Sequence, residues 1–220
     1  MHHVLRGAAG TLHDRPIESH ARVDELEIDQ PAVVLGSTQG VDVINEQRAA
    51  ALGFAVVRRR SGGGVVILQP DEQLWVDVTV PRTHRLWSDD VQQATWWIGE
   101  VWCDVLSTIV GDSLGAGLGW SVYRGKLVAN ALERVVCFAS VGAGEVVCGE
   151  HKVVGISQRR TKDAARFQCT VMRDVDERLY ASLLRGGVPA SLGQARGVGE
   201  HLVAVRDGVV RALSNALTVA

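Results

Sequence analysis

The stretch EHKVVGISQRR, Glu150 to Arg160, decides the fold. It is β-branched and apolar at its centre and polar at both ends. Similar runs flank it at close intervals: WSVYRG, RVVCFAS and GEVVC before it, ARFQCTVMR after it. Short runs of this kind, broken by a few turn residues, predict an antiparallel meander across residues 120 to 173. Regular alternation places Lys152, Val154, Ile156 and Gln158 on one face, and Val153, Gly155, Ser157 and Arg159 on the other. The Gly/Ser surface can line a narrow slot. The structural alternative is a hairpin strand with a glycine at a bulge. Lys152 stands out because the chain has 23 basic residues and only three are lysines, the others being Lys126 and Lys162. A lysine is a compact point charge on a flexible stem, suited to holding a carboxylate or acyl-phosphate.

Outward from this stretch, the pattern mixes segregated strands and helices. Residues 31 to 36, 54 to 59, 65 to 68 and 74 to 80 read as strands. Residues 42 to 52 read as a helix ended by Gly53, and residues 89 to 110 as the longest helix, opened by Asp89 and Asp90. Val91, Ala94, Ile98, Val101, Trp102 and Val105 form its inner stripe, and its three tryptophans read as core and rim packing. Residues 174 to 185 and 202 to 217 also read as helices, joined by a Gly-rich connector. Together these features predict an α+β fold with a mixed, largely antiparallel sheet flanked by helices. The expectation is one domain over residues 1–220.

Composition narrows the function classes. Hydrophobic residues make up 46% and charged residues 22%, with a net charge of −2. That balance gives no basic field for nucleic acid or anionic membranes, and no helix-turn-helix pattern is present. No run reaches the roughly 20 apolar residues of a membrane span. The N-terminus lacks a signal-peptide pattern, so the expected location is cytoplasmic. Cys103, Cys137, Cys148 and Cys169 form no CxxC pair, so reduced thiols and no metal site are expected.

Three segments can carry chemistry. In RRRSGGGVVIL, Arg58 to Leu68, the backbone N–H groups of Gly62, Gly63 and Gly64 can converge on an anion. Arg59 and Arg60 add charge-assisted donors beside Ser61. A hairpin turn with edge arginines fits the same residues equally well. No GK[ST] follows, and a strand stands where a dinucleotide fingerprint requires a helix. The second segment is Lys152 with Gly155, Ser157, Gln158 and Arg159. The third is CFASVGAGE, Cys137 to Glu145, where Cys137 is either a thiolate nucleophile or a buried structural thiol.

RR-x-SGGG-x-V followed by KVVGISQRR, in this order and at this separation, resembles the lipoate-protein ligase A and biotin ligase superfamily. The resemblance spans roughly Val33 to Asp174. It implies an α+β catalytic domain like that of biotin ligases and class II synthetases. It implies activation of lipoate or octanoate with ATP and Mg2+ to an acyl-adenylate, then transfer to a lysine of a lipoyl domain. Gly62 to Gly64 would pack around the acyl and phosphate part. Lys152 would stabilise the charge developing on the carboxyl oxygens. Glu145 falls where the ligases carry an Asp that helps hold the nucleotide. Gly155 and Ser157 fall on the strand along the adenylate, with Gln158 beside them. The implied acceptor is an apo lipoyl domain of a 2-oxoacid dehydrogenase or the glycine-cleavage H protein.

The sequence departs from that pattern in three places. Leu68-Gln69-Pro70 stands where the ligases carry a His-Asp pair. The expectation is a catalytic domain without the C-terminal accessory domain of the large ligases, which would leave room for a small accessory ligase subunit. Cys137-Phe138 precedes Lys152 by fifteen positions, with Glu145 between, as in cysteine-dependent octanoyltransferases of the family. Those enzymes need no ATP and move octanoate from acyl carrier protein through a thioester. The ATP-dependent ligase is the first expectation and transfer through Cys137 the second. A non-catalytic homologue that binds an acyl ligand is the third.

Overall fold

The computed structural model describes residues 2–127 and 129–218. The fold is α+β. Seven strands form one sheet in the order β1 (His2–Gly7), β2 (Arg22–Ile28), β6 (Gln73–Pro81), β10 (Ala164–Met172), β9 (His151–Arg160), β8 (Val146–Cys148) and β7 (Trp120–Val122). Only β1 and β2 are parallel; every other neighbour in this sheet is antiparallel. A second sheet has the order β4 (Ala55–Arg58), β3 (Ala32–Leu35), β5 (Val66–Leu68).

The large sheet buries both faces. On one face pack α3 (Gln93–Ile109) and α5 (Leu202–Thr218), around Val78, Ile98, Trp102, Phe167, Cys169 and Leu213. On the other face pack the small sheet, α1 (Ala9–Asp14), α2 (Glu46–Ala51) and α4 (Glu177–Leu183), around Val34, Val65, Trp75, Phe138 and Tyr180. Among the described residues, no helix is long and apolar enough to cross a membrane.

Local chemistry sets the helix ends. The Asn45 side chain accepts from Arg48 N, and Asp176 accepts from Arg178 N and Leu179 N. Asp90 accepts from Gln92 N and Gln93 N in the turn ahead of α3. The helix therefore begins after the predicted start. Val91 is 58% exposed, and Leu106 rather than Val105 completes the buried stripe.

Two readings of the meander are corrected. RVVCFAS is not a strand: residues Glu133–Val135 and Cys137–Ala139 are 3-10 turns. Val136 between them makes a single parallel bridge to Val65. The second correction concerns β9. Val146 pairs with Val154 while Val147 pairs with Lys152, so Val153 is an extra residue bulged out of the ladder. Val153 and Val154 both enter the α3–α5 core. The bulge reverses the alternation, and Lys152 emerges on the same face as Gly155 and Ser157, not the opposite one.

Candidate functional site

Lys152 is 3% exposed, and its ammonium has three acceptors: Glu145 Oε2 at 2.7 Å, Cys137 O at 2.7 Å and Ser140 O at 2.8 Å. Three donors therefore meet three acceptors, which is what permits a buried ammonium. The Phe138 ring centroid lies 5.3 Å from Nζ. Glu145 is also buried, and it accepts from Gly142 N at 2.7 Å and Ile156 N at 3.1 Å. The pair thus ties β9 to the 137–145 segment. Gly155 stands beside it: a methyl group there would lie 3.6 Å from Lys152 Cε and 3.7 Å from the Phe138 ring.

The glycine loop meets this pair through Cys137. Val65 N donates to Val135 O and Cys137 N donates to Val65 O, so the end of the loop runs alongside residues 135–137. Gly64 is required at that crossing. A Cβ there would fall 2.6 Å from Val136 C, 2.7 Å from Cys137 N and 2.8 Å from Val135 O. Gly63, at φ 102°, adopts a conformation that favours glycine, and a methyl group on it would sit 3.9 Å from Cys137 Sγ. Arg59 is buried and donates to Gly62 O and Gly64 O. Its guanidinium shapes the loop from within.

A narrow cavity of about 30 Å³ lies between the two sheets. Val34, Val66 and Leu68 of the small sheet wall one side. Trp75, Gly155, Ser157, Gln168 and Thr170 of the large sheet wall the other, and Cys137 and Phe138 close it toward Lys152. Leu68, standing where a His-Asp pair begins in the resembled ligases, is part of this wall. Small-molecule sites are typically about 300–1,000 Å³, so a bound small molecule would need these walls to separate.

The far wall is polar and was not read from the sequence. Ser157 Oγ donates to Ser61 Oγ (3.1 Å), Ser61 Oγ to Gln168 Oε1 (2.9 Å), and Gln168 Nε2 to His13 Nδ1 (3.2 Å). His13 lies in the last turn of α1 and stacks on Trp75 with ring centroids 4.2 Å apart. Burial first, then the cationic Arg59, Arg166 and Arg15, push its pKa down to about 3, so the ring is neutral. Arg166 holds α1 in place by donating to His13 O and Arg15 O. Beneath it, Asp77 pairs with Arg15 (2.9 Å) and Arg166 (3.5 Å) and accepts from Trp75 Nε1. Complete burial nevertheless raises its pKa to about 6. The one sequence signal for His13 was its position ahead of Arg15-Pro16, where a helix must stop.

Of the expected residues, Arg59, Cys137, Gly155 and Ser157 line the cavity, and Lys152, Glu145, Ser61 and the glycines of the loop stand behind that lining. Two expected residues stand elsewhere. Arg60 is exposed and pairs with Asp14. Gln158 lies on the opposite face of β9 and accepts from Arg160 Nε. Arg159 shares the Gly155–Ser157 face, and its Nη1 is buried with no hydrogen-bond partner. An orphaned guanidinium nitrogen of this kind fits an anionic ligand. Among the described residues no three of His, Cys, Asp and Glu converge into a metal cage.

The arrangement therefore joins an apolar slot, a buried cation, a thiol and a close-packed glycine loop. Solved structures share its fold. A lipoate-protein ligase A bound with ATP superposes with a TM-score of 0.72 at 17% identity, over 98% of this chain and 84% of that one. The bi-partite lipoate protein ligase of Thermoplasma acidophilum, solved in a study that includes its E2 lipoyl domain, gives 0.70 at 15% identity, over 100% and 84%. A T. acidophilum protein with lipoic acid bound gives 0.66 at 17% identity, over 91% and 74%. No curated protein sequence matches the chain. The family model for the lipoyl protein ligase A/B catalytic domain matches residues 26–207, and the chain belongs to that family of enzymes.

Proposed function

We propose that this enzyme transfers a lipoyl or octanoyl group to a lysine of a lipoyl domain. The observation that carries the proposal is the buried Lys152–Glu145 pair standing directly behind Cys137, Phe138 and Gly155, which line an apolar slot. The acyl chain would occupy the slot with its carbonyl toward Lys152. The ammonium would exchange the carbonyls of Cys137 and Ser140 for the acyl oxygen, where a preplaced cation stabilises charge appearing in the transition state. Glu145 would hold the lysine in place throughout.

In the first reading the carboxylate is activated by ATP. Family membership and the fold shared with an ATP-bound ligase support it. The carboxylate would attack the α-phosphate of ATP, releasing pyrophosphate and forming an acyl-adenylate, from which the acceptor lysine amine would displace AMP. Arg159, with its unpartnered Nη1, is the residue suited to a phosphate. Mg2+ would enter with the nucleotide phosphates rather than through a protein cage.

A second reading is favoured by the place of Cys137 in the cavity wall. The Cys137 thiolate would attack an acyl carrier thioester, release the carrier thiol and form an acyl-Cys137 thioester. The acceptor amine would then displace Cys137 as a thiol and form the amide. Lys152 serves both readings. Incubation with octanoyl-acyl carrier protein, followed by mass spectrometry of the intact protein, separates them. An adduct lost in Cys137→Ser supports the thioester route. Full ATP-dependent lipoylation by Cys137→Ser, without an adduct in the native protein, supports the adenylate route. Neither product in either assay overturns the proposal.

A further inference from the structure

The polar far wall of the slot has a direction. Each donor in the series Ser157, Ser61, Gln168 points toward His13, and the series ends with Nδ1 accepting. A neutral imidazole that accepts at Nδ1 carries its proton on Nε2. That Nε2 is buried and has no hydrogen-bond partner, and His13 as a whole is 6% exposed. A buried donor left without an acceptor is unfavourable and rare in folded proteins. His13 lines the same cavity as Cys137, Phe138 and Gly155, which lead to Lys152.

Position along the sheet separates the two ends. Ser157 pairs with Gln168, and Gly155 with Thr170. Lys152 therefore lies several residues of strand away from the level of Gln168 and His13, roughly 3.3 Å per residue. Lys152 and Glu145 stand behind Cys137, Phe138 and Gly155 at one end of the slot. The other end is polar and presents the His13 ring, with Arg59, which donates to Gly62 O and Gly64 O, also in the lining. Between them stand Val34, Val66, Leu68 and Trp75.

We infer that His13 is a specificity-determining residue, whose Nε2–H selects acyl chains bearing a hydrogen-bond acceptor near the end remote from the carboxyl. This rests on the acyl-transfer reading above and names its substrate class. A saturated chain would cover Nε2–H with methylenes and leave the donor unsatisfied. A chain carrying sulfur or oxygen at that end would satisfy it. The neutral ring suits an uncharged acceptor, since the nearby Arg59 guanidinium donates to the loop carbonyls of Gly62 and Gly64, and the carboxyl belongs toward Lys152.

The test compares octanoate, lipoate and 8-hydroxyoctanoate as substrates, each with ATP or as the carrier thioester, and by calorimetric binding of the free acids. Native protein, His13→Phe and His13→Gln are measured side by side. Native protein should favour one or both acceptor-bearing chains over octanoate by about tenfold in kcat/KM, the scale of one buried hydrogen bond. The lipoate and hydroxy arms distinguish a sulfur acceptor from an oxygen one. In His13→Phe the preference should collapse, while His13→Gln, which keeps an N–H donor, should restore it. Equal use of octanoate by the native protein, or a ratio unchanged in His13→Phe, overturns the inference while leaving the acyl site standing. Failure of all three acids to bind or react overturns the acyl-site reading, and this inference with it.

Discussion

Lys152 and Glu145 are a buried ion pair whose remaining hydrogen-bonding groups are all met by backbone. Breaking such a pair from one side costs about 3–5 kcal/mol, because the surviving charge stays buried. Lys152→Met should therefore lower stability by about that amount and abolish acyl transfer. Adding Glu145→Gln should recover most of the stability but none of the activity. Urea unfolding and an acylation assay on the same preparations would separate the two roles; a fully stable Lys152→Met would contradict the pairing. Gly64 makes a second demand at this scale. A methyl group there meets three backbone atoms closer than 3 Å. Gly64→Ala should cost about 1–3 kcal/mol by overpacking, and it should weaken acyl transfer by shifting Cys137. Crystallographic displacement of residues 135–137 would be the direct check. The glycines and Lys152 were legible as a site because their residue types are unusual where they stand. His13 was not, since a single histidine at the end of a six-residue helix carries no pattern.

At the level of elements, the Val153 bulge decides which face this sequence gives Lys152. Period-two alternation predicts which face a side chain takes only while the ladder is unbroken. No residue in HKVVG marks the break, since Val153 and Val154 are equally suited to a core. Deleting Val153 would restore regular pairing between β8 and β9, and alternation from Val154 would still leave Lys152 on the face of Gly155. The expected outcome is retained transfer at a stability cost of about 1.5–3 kcal/mol for the lost buried valine, measured by an acylation assay and chemical unfolding. Loss of transfer in a folded deletion variant would show that the bulge itself shapes the site. The longer strands and helices were readable from periodicity. The RVVCFAS segment was misread because its backbone has one bridge to pair with, although its composition is strand-like. At the N-terminus, β1 alternates exposed and half-buried positions along a sheet edge and α1 has too few turns for a stripe. Neither gave a usable signal.

At the level of the whole molecule, stability and pH are linked through the buried wall between the two sheets. His13 has a folded pKa near 3 against an ordinary value of 6.5. Between those values the unfolded chain binds a proton that the folded one refuses, so this group's contribution is intact above pH 6.5 and is lost as pH falls toward 3. Asp77 runs the other way. Its folded pKa of about 6 exceeds the ordinary 3.8, so the folded state holds the extra proton. Its contribution is greatest below pH 3.8 and declines as pH rises through 6. The two slopes oppose each other between about pH 4 and 6, and the native protein should show a flattened profile there. His13→Asn removes one of them. Relative to native protein, the variant should gain up to about 1.4 kcal/mol per pH unit below pH 6.5. Urea midpoints of both proteins from pH 3 to 7 give that difference, and a constant gap would refute the linkage.

The sheet order carries a consequence for how the chain is made. The central strands β6 and β10 pair along their full lengths, Gln73 opposite Met172 and Pro81 opposite Ala164. Closing this contact joins segments far apart in sequence, which is the costly and slow kind of step in folding. During synthesis, Gln73–Pro81 leaves the ribosome long before its partner exists, with Trp75, Val76, Val78 and Val80 still waiting for cover. The slot has walls from both sides of that contact. A nascent chain halted before Ala164 would therefore expose a sticky half-sheet with no binding site, the form that chaperones intercept.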